Sequence, residues 1–332
     1  MRGPLAAAIA ATFAIGLVVA EGPPPQIVYT EDGGVPLLSN GRISARWTQD
    51  LLPVVELKDG GLPFTIMLSE IVEFEDHNAN GFYESSEAVL VASTTSGAPW
   101  AKRSSGFLSS HAFTVAVAGE SEAQTIPPGP RASLTSVGLG VTLADESVQV
   151  LGAPLEVNEA MFTFVVDSWP WVSNSNVLAV RMLVAGAQLR VGDRVVRPET
   201  PSFPVSAYDN RAEIEGRDGA LGYVRWPSSG SVGTVLGPSR SLAVASAGGV
   251  EATDSRPAGV ELTFLFSSSY GARSLEFSPV VGVATSSAGG AGDEPVPPIL
   301  AGIAVVAALA VVMLRRRAAP VRKPAGERQP GP

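Results

Sequence analysis

Apolar residues recur at every second position along much of this chain, and the runs are short. Ile43, Ala45 and Trp47 alternate with Ser44, Arg46 and Thr48. Phe113, Val115 and Val117 repeat the rhythm, as do Phe162, Phe164 and Val166, and later Leu262, Phe264 and Phe266. A period of two puts alternate side chains on opposite faces of a strand, so each run predicts a half-buried strand. Segments 177–184 and 189–196 are further strands. Segments 212–215 and 222–226 flank a turn at 216–219 and predict a hairpin. Glycine (35 residues) and proline (27 residues) cut the runs at turns. Between 26 and 283 no amphipathic helical stretch stands out. The expectation is an all-β fold, a large antiparallel β-sandwich over residues 21–283. That length is large for one small sandwich. The polar, proline-rich stretch 120–131 is either a boundary between two packed sandwiches or a long loop within a single one.

The chain has no cysteine. Disulfides are the usual staple of proteins outside the cell, so their absence points away from animal extracellular modules and towards a prokaryotic surface protein. The net charge of −9 conceals a sharper division. Basic residues concentrate at the ends, and 21–295 holds 16 basic residues against 31 acidic ones. Nucleic-acid binding needs a basic face, so that class of partner is excluded. An acidic body suits divalent cations or basic partners.

The two ends predict a location. Arg2 precedes an apolar run that closes on the small residues Val18, Val19 and Ala20, the pattern of a secretory signal peptide over 1–20. Residues 296–314 carry no charge, and as a helix they would just cross a bilayer's hydrocarbon core. Arg315, Arg316 and Arg317 follow at once, and such clusters stay on the cytoplasmic side. The expectation is a single-pass membrane protein of the cell surface, with its body outside. The Gly-rich segment 284–295 would be a flexible stalk and 315–332 a basic cytoplasmic tail.

Residues 76–87 read DHNANGFYESSE. Acids, amides and one glycine stand there at fixed offsets: Asp76, Asn78, Asn80, Gly81, Phe82, Glu84 and Glu87. The stretch resembles the twelve-residue EF-hand calcium loop, as isolated loops of that type occur in dockerins and extracellular β-modules. The resemblance covers the loop alone. It implies Ca2+ held by the side chains of Asp76, Asn78, Asn80, Glu84 and Glu87 and by the Phe82 carbonyl. Calcium takes six to eight oxygens, and a glycine is needed at the sharp turn. The flanks depart from the EF-hand, because Ile71–Glu75 alternates like a strand and Tyr83 replaces the usual small aliphatic residue. With no second loop to pair with, a structural staple is expected rather than a sensor. Three acids and two amides imply an affinity of about 10⁻⁴ to 10⁻³ M. As a whole the chain resembles prokaryotic single-pass surface proteins.

Other chemistry is sparse. The two histidines, His77 and His111, cannot build a histidine-rich zinc site. A Ser–His–Asp triad through His111 has no supporting motif. The pairs Glu73/Glu75 and Glu213/Glu215 have strand-face spacing, which favours the solvated side of a sheet over a glycosidase pair. Trp169-Pro170-Trp171 could stack on a sugar ring or plug the end of a core. The expected function is non-enzymatic: calcium-stabilised adhesion to, or recognition of, an extracellular protein or glycan. The competing class is a tethered extracellular hydrolase or a carbohydrate-binding module.

Overall fold

The computed structural model describes residues 27–283, apart from 59–63, 95–99, 127–131, 207, 217–218, 235–236, 254–256 and 268–270. The chain begins as a meander of β1 (Val28–Asp32), β2 (Val35–Ser39), β3 (Ser44–Trp47), β4 (Val54–Lys58) and β5 (Phe64–Phe74), each antiparallel to the next. It continues through β6 (Ala88–Ser93), β7 (Ala101–Ser109), β8 (Ala112–Thr125) and β9 (Ala132–Ala144). A small separate hairpin, β10 (Val148–Val150) and β11 (Ala153–Leu155), precedes β12 (Glu159–Asp167). The second half holds β13 (Val177–Ala185), β14 (Gln188–Val191), β15 (Arg194–Val196), β16 (Phe203–Pro204), β17 (Arg211–Gly216) and β18 (Gly219–Arg225). It ends with β19 (Ser229–Thr234), β20 (Gly237–Val250), β21 (Gly259–Phe266), β22 (Ser274–Phe277) and β23 (Val280–Val283).

Ten strands close into a barrel. From β5 the ring passes through β6, β8, β9 and β12, then β22, β19, β20, β21 and β13, and returns to β5, antiparallel throughout. The first five of these strands come from 64–167 and the other five from 177–277. The barrel is therefore two half-barrels joined along two seams, β5–β13 and β12–β22. The chain passes from one half to the other through the connector 168–176.

The two-residue period explains the filling. Inward-facing residues such as Leu68, Val115, Leu139, Phe162, Val180 and Phe264 belong to one continuous core. A ten-stranded ring needs large side chains to fill it. Phe162, Phe164, Phe264, Phe266 and Phe277 are fully buried, and the ring of Phe277 lies 4.8 Å from Phe264 and 5.1 Å from Phe266. Two strands fork. β5 pairs with β4 over Phe64–Met67 and with β6 over Glu70–Phe74. β12 pairs with β23 near Glu159 and with β22 near Asp167. The outer strands that leave at these forks run β4 to β1, and β23 through β18, β17 and β14 to β15. Smaller apolar clusters cover patches of the barrel's outside, so every residue of β21 is buried on both faces.

Two expectations are corrected. The β-sandwich is a closed barrel with outer strands. Alternation specifies one apolar face per strand, which serves either architecture; the seams decide between them. Of the stretch 120–131, residues 120–125 belong to β8, which pairs with β9 as far as Gln124–Ala132, and 127–131 lie outside the described residues. The single-pass membrane anchor, with the extracellular placement that rested on it, is also withdrawn. Among the described residues no helix is long and apolar enough to cross a membrane. An uncharged run shows sufficient length, and length alone does not make a helix. Segments 1–20, 284–295, 296–314 and 315–332, which carried these readings, lie outside the described residues.

Candidate metal centre

The loop at 76–87 joins β5 to β6 at one end of the barrel. The Glu75 N–H donates to the Glu87 carbonyl at 3.1 Å and closes its neck. Asp76 then organises the turn: Oδ1 accepts the Asn80 N–H and Oδ2 the Gly81 N–H, each at 3.0 Å. Asn78 Oδ1 shares the Asn80 N–H at 3.0 Å. Asn80 Oδ1 accepts the Phe82 N–H at 3.0 Å, and Asn80 Nδ2 donates to Glu84 Oε1 at 2.8 Å. Ala79 and Gly81 both have positive φ, 55° and 75°. The glycine is thus placed where the backbone needs one.

A single 3₁₀ turn, Ser85–Glu87, carries the last acid back beneath the loop. Glu87 Oε2 accepts the Glu84 N–H at 3.3 Å. Glu87 Oε1 is buried and has no hydrogen-bond partner, in a side chain that is only 5% exposed. An orphaned buried carboxylate oxygen is costly, and a cation at that point would repay the cost. The structure therefore brings Asp76, Asn78, Asn80, Glu84 and Glu87 into one hydrogen-bonded turn. Phe82 lies within the turn, and its ring packs outwards beside Tyr83. Among the described residues no three His, Cys, Asp or Glu side chains gather closely enough to hold a metal by themselves. The loop's donor set is mixed, so its acids need the amide and carbonyl oxygens to complete a shell for a hard cation.

Phe82 and Tyr83 seat the loop on the barrel. They pack on Val72 and Phe74 of β5, Ala179 of β13 and Leu265 of β21. Tyr83 meets Phe74 edge-on at 5.4 Å, and the Arg181 guanidinium lies 5.2 Å from the Tyr83 ring centre. Arg181 also bonds Glu70 of β5 and Glu261 of β21, the latter at 2.7 Å. Burial disfavours its charge, but Glu261 and Glu70 outweigh that and raise its pKa.

Glu73 departs from the solvated-face reading. It is fully buried and points into the barrel's end. Its carboxylate accepts from Trp169 Nε1 at 3.0 Å, the Val172 N–H at 2.9 Å, the Ser173 N–H at 3.1 Å and Asn176 Nδ2 at 2.8 Å. A register shift in the β5–β13 pairing near Ser69 re-aims the strand and turns Glu73 inwards. The paired reading survives at Glu213 and Glu215, which are partly exposed and bonded to Arg211 and Arg190. Trp169 is buried with its N–H given to Glu73, so it plugs the core rather than meeting a sugar. His111 has carboxylates at both ring nitrogens, Asp145 at 3.1 Å and Glu146 at 3.3 Å. Neither nitrogen is turned to a serine hydroxyl, as a triad requires.

A further buried carboxylate, Glu159, lies where β23 leaves β12. Burial works against its charge, but Arg225, the Tyr223 hydroxyl and the Glu156 N–H outweigh it and hold its pKa below the ordinary 4.5. The same burial, with Glu159 beside it, pushes the Tyr223 hydroxyl up to about 12. Sequence spacing gives no sign of this cluster, because its members lie on strands far apart in the chain.

A search against family models finds no match for the chain, and no curated protein matches it.

Proposed function

We propose that the protein is a calcium-stabilised β-barrel with a structural, adhesive or recognition role and no catalytic one. The observation that carries the calcium reading is Glu87 Oε1, buried and unpartnered at the last ligand position of a turn already folded by Asp76, Asn78 and Asn80. Asp76, Asn78, Asn80, Glu84, Glu87 and the Phe82 carbonyl hold the ion. Gly81 gives the turn its positive φ. The ion neutralises three acids that otherwise repel one another, and it stabilises the folded state by mass action.

Titration calorimetry on the purified protein tests the reading. The expected result is one site with a dissociation constant of about 10⁻⁴ to 10⁻³ M. Glu87→Gln removes a bidentate ligand and should abolish the heat. Unchanged binding in that variant would overturn the assignment.

A further inference from the structure

The loop does not rest on its own hairpin alone. Its aromatic pair packs across the seam where the half-barrels meet: Val72 and Phe74 belong to one half, Ala179 and Leu265 to the other. Arg181 of β13, beneath Tyr83, is bonded to Glu70 across the same seam. At the end of β5 two adjacent residues face opposite ways. Glu73 points inwards and holds the connector between the halves by Trp169, Val172, Ser173 and Asn176. Phe74 points outwards, receives Tyr83 and pairs with Val177, the residue that follows the connector. The loop, the seam and the connector therefore meet at one strand end.

We infer that the loop at 76–87 is a seam lock, in which Ca2+ binding fastens the two half-barrels to each other along β5–β13 and seats the connector 168–176. The calcium part rests on the function proposed above. The chemistry is mechanical. An ion drawing Asp76 and Glu87 together fixes the backbone of the turn, and the turn fixes Tyr83 against Phe74 and Arg181. Opening the seam then requires either releasing the ion or pulling Tyr83 from its seat.

Amide hydrogen exchange on the full chain, read residue by residue, tests this. At ~10 mM calcium against a ~1 mM constant, protection should rise roughly tenfold. The rise should appear at β13 and at Val172 and Ser173, and exceed that at the β8–β9 pairing. Tyr83→Ala should keep the calorimetric calcium signal and lose the gain at β13. Without calcium, the same variant should exchange faster than wild type at β13. A gain confined to 76–87, or one equal across the whole molecule, overturns the seam lock while leaving calcium binding intact. Absence of binding heat overturns the calcium reading. Exchange at β13 in Tyr83→Ala that matches wild type without the ion overturns the aromatic bridge itself.

Discussion

Glu73 and Glu87 are both buried acids close to one strand end, and their surroundings separate their roles. Glu73 accepts from four donors and has its charge met by the protein. Glu87 keeps one oxygen without a partner. Replacing Glu73 by Gln removes the charge and sets an amide N–H₂ among donors. It should cost roughly 2–4 kcal/mol, read as a lower denaturant midpoint, with calcium binding retained. Gly81→Ala meets no steric neighbour but must hold φ near 75°, so a loss of about 1–2 kcal/mol is expected from the same measurement. Glu159 gives a pH signature. Its folded pKa is lowered below the ordinary 4.5, so its contribution is complete above that value and is lost as pH falls through the folded pKa. Glu159→Gln should flatten the acid limb of the stability–pH curve below about pH 4.5 and leave the slope near neutrality unchanged. The turn at 76–87 was legible residue by residue, because the side chains that fold it are local. Glu73 was not, because its four donors come from a segment about a hundred positions away.

At the level of strands, legibility followed burial on one face. Phe113, Val115 and Val117 alternate with the smaller Thr114, Ala116 and Ala118 because the outer side of β8 is less covered, and the reading matched the structure. β5 is covered on both sides, so its sequence approaches a continuous apolar run around residues 66–68 and the period of two fades there. The register shift near Ser69 then reversed the phase of β5 for its last residues. A slip of one position sends every following side chain to the other face. That is why Glu73 looked exposed. The connector is legible in part, since Trp169-Pro170-Trp171 announced either a plug or a platform. Its choice depended on Glu73. Trp169→Phe keeps an aromatic ring, though a smaller one, and removes the N–H. It should cost about 1–3 kcal/mol by leaving Glu73 short of a donor, with the loss read by thermal melting.

For the whole molecule, strand positions were legible but closure was not, since one apolar face per strand serves a sandwich and a barrel alike. Calcium should act on this whole as a modest staple. At ~10 mM ion and a ~1 mM constant the gain is about 1.4 kcal/mol, and the melting temperature should rise by a few degrees on adding calcium and fall on chelation. The β-sheet circular dichroism at room temperature should not change; a large change would mark a switch instead. The two seams also carry a cost in time. Phe74 must find Val177, and Asp167 must find Ser274, across stretches of chain that hold a complete half-barrel. Loop-closure entropy on that scale makes such pairings slow. Until they form, each half presents the raw edges of two strands, β5 and β12 on one and β13 and β22 on the other, and raw edges pair with whatever strand arrives first. Refolding should therefore be slow and its yield should fall as protein concentration rises, because a half-barrel can close on a neighbouring chain as readily as on its own.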